Sequence, residues 1–169
     1  MSLVFTSLDS PVGRLKLVAS TRGLIAVLWP NDRPNRVPLG AMTEQAGHPV
    51  LAQAAHELDA YFAGRRTVFS VPLDFQGTAF QKQVWAALLT IPFGERRTYG
   101  QIAAQLGAPT ASRAVGAANG RNPISIIAPC HRVVGAQGQL TGFAGGLAAK
   151  AFLLDHESFS GQPGVSLAG

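Results

Sequence analysis

Apolar and polar residues alternate along the first thirty positions with the period of two that a half-buried strand requires. "LVFTSLDS" at 3–10, "GRLKLVAS" at 13–20 and "GLIAVLWP" at 23–30 read as three short strands, with turns at Pro11-Val12-Gly13 and Arg22-Gly23. "NDRPNRVPLGAM" at 31–42 loses the alternation, carries Pro34 and Pro38, and reads as a loop. From His48 the period changes: Val50, Leu51, Ala54, Leu58, Tyr61 and Phe62 recur at helical spacing, and Gly64 supplies a C-terminal stop. "VFSVPLDF" at 68–75 reads as one more strand, placed at a sheet edge because Pro72 has no N–H to donate.

A break follows at Gln76-Gly77. Thr78 and Gln81 form a capping box, and Phe80, Val84, Trp85, Leu88 and Leu89 make the apolar face of a helix that Pro92 and Gly94 end. "TYGQIAAQLG" at 98–107 is a short helix, Ala108-Pro109 a tight turn, and "TASRAVGAANG" at 110–120 a second helix: a helix-turn-helix pattern. "NPISIIAPCHRVV" is a loop with a short apolar run, "GQLTGFAGGLAAKAFLLDHE" a glycine-rich loop entering a last helix, and the end of the chain reads as a frayed tail. The expected organisation is an α/β (α+β) chain with a β-rich domain over 1–76, a mainly helical domain over 77–160 and a tail over 161–169.

The second helix of the pair is bare. Over residues 110–118 only Arg113 is large and polar, whereas a major-groove recognition helix presents Arg, Asn, Gln or Lys to base edges. Two readings stand side by side. Alanine and glycine, Gly116 among them, let two helices pack closely; or they let the helix approach the minor groove, where sequence information is degenerate and Arg113 alone could fill a gap in the base stack.

Composition narrows the class. The chain has 169 residues, 47% apolar and 14% charged, with no apolar run long enough for a membrane span and no basic-then-apolar leader pattern at its start. One cysteine and four scattered histidines speak against a disulfide framework or a zinc site, and a reduced, cytoplasmic compartment follows as the expectation. Net charge is +5, and it is uneven: residues 1–76 hold 7 Lys+Arg against 6 Asp+Glu, residues 77–169 hold 7 against 3. The basic half is compatible with a polyanion.

That half also holds the one thiol, in "PCHRVV" at 129–134. A free cysteine is commonly a small buried hydrophobe. Here Pro129 stiffens the approach to Cys130, and His131 offers a base best reached through a water. Arg121 and Arg132 are the cations expected to favour a thiolate. The orienting acid that such a pair needs is Glu95, Asp155 or Glu157. Residue chemistry alone reaches a nucleophilic Cys-His-acid site beside a DNA-binding helix pair.

The segment "NPISIIAPCHRVVGAQGQLTGFAGG", together with "FQKQVWAALLTIPFGERRTYGQIAAQLG", "SRAVGAANGRNP" and the closing "LLDHE", resembles the O6-alkylguanine-DNA alkyltransferases (methylated-DNA–protein-cysteine methyltransferases) in order and spacing, strongly over 75–157 and more loosely before. The resemblance implies a ribonuclease-H-like N-terminal domain and a winged-helix-like DNA-binding domain. It implies single-turnover transfer of an alkyl group from O6-alkylguanine, and possible activity on O4-alkylthymine. The implied partner is double-stranded DNA, which a monomer would grip through the minor groove, at the nucleoid if the source is bacterial. Cys130 would accept the alkyl group from a flipped base. His131 would deprotonate it through a water, Glu157 would orient His131, and Asn122 would tie the second helix to the cysteine turn. Tyr99 would donate to guanine N3, N–H groups around Phe143 and Ala144 would face O6, and the Cys130 and Val133 carbonyls would accept from the exocyclic amine. Gly116 would lie against DNA and Arg113 would fill the stack. No cofactor is implied; the zinc ligands of some relatives are missing, and Phe143 stands where many carry tyrosine. A turnover Cys-His hydrolase and a non-catalytic damage-binding module are the alternatives.

Overall fold

The computed structural model describes residues 2–160. Strands β1 (Leu3–Ser10), β2 (Gly13–Ala19) and β3 (Leu24–Leu28) form an antiparallel meander. Its first turn closes with Ser10 opposite Gly13, whose φ of +107° is open to glycine and costly to other residues. A short strand β4 (Met42–Glu44) adds parallel to the free edge of β1, giving the order β3-β2-β1-β4. Met42 lies in the stretch read as loop; three residues pairing with a distant edge leave no local signal.

The converse holds at "VFSVPLDF". It forms a single bridge, Leu24 to Leu73, in which the Leu24 N–H donates to the Pro72 carbonyl (2.8 Å) and the Asp74 N–H to the Leu24 carbonyl (2.8 Å). Pro72 contributes its acceptor and lacks the donor that would extend a ladder.

Both sheet faces are covered, which explains why "LIAVL" in β3 is a solid apolar run and not an alternating one. Helix α1 (Pro49–Phe62) lays Leu51, Ala54, Leu58 and Tyr61 against Leu15, Leu17, Ala19 and Val27 on one face. On the other, Val18, Ile25 and Ala26 pack with Val37, Leu39 and Met42, so the proline-bearing segment acts as a cover.

The second half builds its own core. Helix α2 (Ala79–Leu88) starts at the Thr78–Gln81 capping box, and α3 (Tyr99–Gln105) starts at another, Thr98–Gln101. Gly107 turns the chain at φ +75° into α4 (Ser112–Gly120), completing the helix-turn-helix. Trp85 Nε1 donates to the Ala118 carbonyl (2.8 Å) and fixes α4 on α2. Two-residue strands β5 (Arg97–Thr98) and β6 (Val133–Val134) pair in parallel, and α5 (Leu147–Ser160) ends the described chain. The tail read over 161–169 lies outside the described residues. Among those described, no helix is long and apolar enough to cross a membrane.

The segment before the cysteine joins the two cores. Ile124, Ile126, Ile127 and Ala128 pack into the sheet–α1 cluster, whereas Cys130 and Val133 belong to the helical one. Hydrogen bonds register it on β3: the Val27 N–H donates to the Pro123 carbonyl (2.9 Å) and Trp29 Nε1 to Ser125 Oγ (3.1 Å).

Helix α1 is anchored by a buried carboxylate. Glu57 accepts from the Ser70 N–H (2.9 Å), the Val71 N–H (3.1 Å), Ser70 Oγ (2.7 Å) and Gln53 Nε2 (2.9 Å). Substituting alanine orphans the buried Val71 N–H, at about 1–3 kcal/mol, and removes the partners of Ser70 and Gln53. Glu57→Ala is therefore expected to lower the melting temperature by roughly 5–10 °C, measured by circular dichroism.

Candidate active site

Cys130 opens a single 3-10 turn, Cys130–Arg132, whose three side chains are all buried. The turn is entered under strain. Ile126, β-branched and fully buried, sits at φ +74°, in the left-handed region that such residues avoid. Asn122 holds the loop closed around it: its Nδ2 donates to the Ala128 carbonyl (2.8 Å) and its Oδ1 accepts from the Ile124 N–H (3.1 Å). Strain of this kind persists where neighbouring bonds over-determine the backbone. Asn122 thus ties the end of α4 to the cysteine turn.

His131 and Glu157 meet. Nε2 of His131 lies 2.7 Å from Glu157 Oε2, with the two side chains 0% and 2% exposed. Of the three candidate acids Glu157 is the one engaged; Glu95 pairs with Arg97 and Asp155 is exposed. Glu157 also accepts from Arg132, Nε to Oε1 (2.7 Å) and Nη2 to Oε2 (3.0 Å), and from the Tyr61 hydroxyl at Oε2 (2.7 Å). Burial raises its pKa, but hydrogen bonds and charge from His131 and Arg132 outweigh it and hold the carboxyl far below the usual carboxylate range. An ionised carboxylate only accepts, so the His131 proton resides on Nε2. Nδ1 is then a bare lone pair, and that atom is buried with no hydrogen-bond partner. Burial pushes the imidazole pKa down, so it stands neutral near pH 7.

The thiol's electrostatics differ from the expectation. Arg132 is consumed by Glu157 and by the Ile91 carbonyl (2.6 Å), and Arg121 is exposed, reaching the Asn35 carbonyl at 3.4 Å. Spacing in sequence misled because a guanidinium acts where its fork docks. Burial pushes the Cys130 thiol up from its ordinary 9.0 and keeps it neutral; the polar Asn122 and Ser125 side chains and the charges of Arg36 and Lys150 offset this only in part.

A cleft of about 480 Å³ is lined by Tyr99, Gly116, Phe143 and Ala144 with Arg33 and Arg36; no residue of the cysteine turn lines it. Tyr99 and Phe143 also pack against the apolar cluster that contains Cys130. The Tyr99 hydroxyl is hydrogen-bonded to Thr141 Oγ1. Trp29 braces the glycine-rich loop, meeting Phe143 edge-on at 5.4 Å, and a Cβ on Gly145 would lie 2.6 Å from its ring. Both carbonyls expected to face a base already hold donors: Cys130 accepts from the Val133 N–H and, at 3.5 Å, from Asn119 Nδ2, and Val133 accepts from Lys150 Nζ (2.7 Å). Arg113 on α4 is exposed and makes none of these bonds.

Tyr61, Asn119, Thr141 and Lys150 were not among the sequence-predicted residues. Lys150 had a signal: with Leu153, Leu154 and Glu157 it falls on one helical face, the buried one. Arg132→Met should strand the Glu157 carboxylate, at about 3–5 kcal/mol for breaking a buried pair. Glu157, its pKa depressed, contributes stability in place above 4.5 and lost as pH falls through the folded value. Urea titrations from pH 7 to pH 3 should therefore show Arg132→Met both less stable and less acid-sensitive than the native protein.

Residues 79–159 match the DNA-binding domain of 6-O-methylguanine DNA methyltransferase, and residues 3–75 its ribonuclease-like domain. The methylated-DNA–protein-cysteine methyltransferase of Mycobacterium leprae is 53% identical over 154 residues, covering 89% of this chain and 90% of that protein. That of Methanosarcina acetivorans is 46% identical over 155 residues, covering 92% and 98%. The crystal structure of Mycobacterium tuberculosis OGT in complex with DNA superposes over 100% of both chains with a TM-score of 0.86 at 44% identity. With a β-rich first half, a helix-turn-helix second half and a buried Cys-His-Glu constellation at their junction, this chain belongs to the 6-O-methylguanine DNA methyltransferase family.

Proposed function

We propose that this protein repairs alkylated DNA by taking the alkyl group from O6 of guanine onto Cys130, once per molecule. The observation that carries the reading is the bare, buried Nδ1 of His131, aligned by Glu157 beside a neutral thiol. Through one water Nδ1 receives the thiol proton. Sulfur attacks the alkyl carbon in line, the S–C bond forms as the C–O6 bond breaks, and the electron pair leaves with guanine. Negative charge spreads over the purine, met by a hydrogen bond from Tyr99 at N3 and by backbone N–H groups at Phe143 and Ala144 near O6. The product is a thioether and an imidazolium held by the Glu157 carboxylate. No group in the site hydrolyses a thioether, so the acceptor is spent.

The target carbon is out of reach inside a duplex, so the nucleotide must leave the stack, at a few kcal/mol. The cleft lined by Tyr99 and Phe143 takes the base, the Cys130 and Val133 carbonyls accept from its exocyclic amine, and the bare α4, with Gly116 on its DNA side, lies in the minor groove. Lesions arise in any sequence, and a helix without base-reading side chains suits that task. This reading places a monomer in the cytoplasm, on the nucleoid in a bacterium.

Incubated with duplex carrying O6-methylguanine, the intact protein should gain the mass of one methyl group on Cys130 and stop, whatever the excess of substrate. Continued turnover would point to a hydrolase, and DNA binding without transfer to a damage-binding module. Cys130→Ser should bind DNA and transfer nothing measurable, because a hydroxyl is a far weaker nucleophile near neutral pH.

Arg113→Ala should act before chemistry. Losing the side chain that occupies the vacated stack removes compensation worth a few kcal/mol, so transfer from duplex should fall steeply while reaction with free O6-benzylguanine stays near normal. Loss of a phosphate contact alone predicts weaker DNA binding with a salt slope reduced by about one. An equal loss on duplex and free base would remove Arg113 from the flipping role.

A further inference from the structure

Glu157 Oε2 is shared. It accepts from His131 Nε2, from Arg132 Nη2, and from the hydroxyl of Tyr61, a residue 96 positions earlier on α1. We propose that Tyr61 is a positioning residue of the alkyl-transfer site, its phenol donating to the same Glu157 oxygen that aligns His131. The inference rests on the relay from Cys130 through His131 to Glu157 proposed above.

Three observations favour this over a core tyrosine that merely found an acceptor. The ring is fully buried against Phe62, Phe69, Phe93 and His156, at 5.1, 5.5, 6.2 and 4.9 Å, ring contacts that a phenylalanine would keep. Its hydroxyl has one partner among the described hydrogen bonds, and that partner is the carboxylate of the relay. Its backbone is tied to the helix that carries Glu157, because His156 Nε2 bonds to the Tyr61 carbonyl at 2.7 Å. The phenol is also an obligate donor, since burial and then the Glu157 charge drive its pKa far above the ordinary 10.0.

The chemical consequence lies in where the proton rests. When Nδ1 takes the thiol proton, the imidazolium can keep both protons or pass the Nε2 proton to Glu157. Each donor to Oε2 makes the carboxylate a poorer base, so the proton stays on His131 and the ring keeps its alignment. The same donor limits how basic His131 becomes. The other charged groups acting on this pair are Arg132 and Lys150, and His156 packs on the Tyr61 ring at 4.9 Å with its Nε2 on the Tyr61 carbonyl; a Tyr61→Phe ring leaves all three in place.

Tyr61→Phe deletes one oxygen. A hydrogen bond to a buried charge is strong enough to shift a coupled titration by about one pH unit. The acid limb of the single-turnover rate, read on duplex and on O6-benzylguanine, should therefore move to higher pH by up to about one unit, which on that limb is roughly a tenfold loss of rate. DNA affinity should stay within about twofold, because a contact confined to the relay separates rate from binding. The His131 imidazole, followed by NMR in a Cys130→Ser background, should titrate higher by the same interval. An unmoved or downward-moved acid limb in a folded Tyr61→Phe protein overturns the proposal. Should that variant not fold, the unsubstituted protein supplies the test: a slowly exchanging Tyr61 hydroxyl proton close to the His131 Nε2 proton supports the proposal, and its absence overturns it. His131→Ala, run in parallel, separates the two levels. If it transfers as fast as the native protein, the relay itself fails; if it is slow while Tyr61→Phe is unaltered, Tyr61 alone is removed.

Discussion

A single buried carboxylate organises this molecule. Glu157 receives four hydrogen bonds from three side chains, and those side chains come from α1, from the cysteine turn at His131, and from the same turn at Arg132. Burying a charge is costly unless its lone pairs are met, and here they are. The arrangement pins the last helix to the first and fixes the imidazole between them. It also decides the tautomer of His131, leaving the free lone pair on Nδ1.

The thiol occupies the junction of two cores. The residues just before it are packed into the sheet and α1, and the residues after it into the helix-turn-helix half. Neither half alone would hold Cys130 at a defined height. The left-handed Ile126 and the Asn122 bonds across it make the connection stiff, so a shift in either core is passed to the nucleophile and not absorbed by a slack loop. Burial at that junction explains why the sulfur is a neutral thiol awaiting a base, with Arg36 and Lys150 only partly offsetting the loss of water.

Much of this was legible in the chain. Strands β1 to β3, helix α1, the Thr78 capping box and the helix pair follow from period, caps and turn residues, all local signals. What escaped depends on distant partners. β4 exists because β1 has a free edge, and "VFSVPLDF" stops at one bridge because Pro72 cannot continue a ladder. The site residues divide the same way. Cys130, His131 and Glu157 carry chemistry that their types announce, whereas Tyr61 reads as one more apolar position in a helical stripe until the fold sets its hydroxyl on Glu157. In sequence the charge of Arg132 points to the neighbouring thiol; its docked fork spends that charge on the carboxylate.

The 3-10 turn has a consequence for how this chain can change over generations. At three residues per turn, successive side chains leave the axis about 120° apart, so thiol, imidazole and guanidinium occupy consecutive positions while facing different neighbours. One inserted or deleted residue between Pro129 and Val133 would rotate every later side chain to another's place. It would turn the imidazole away from Glu157, the guanidinium away from the Ile91 carbonyl, and β6 out of register with β5. Substitutions can be sampled singly along most of the protein, but these three positions form a unit of fixed length that is inherited whole.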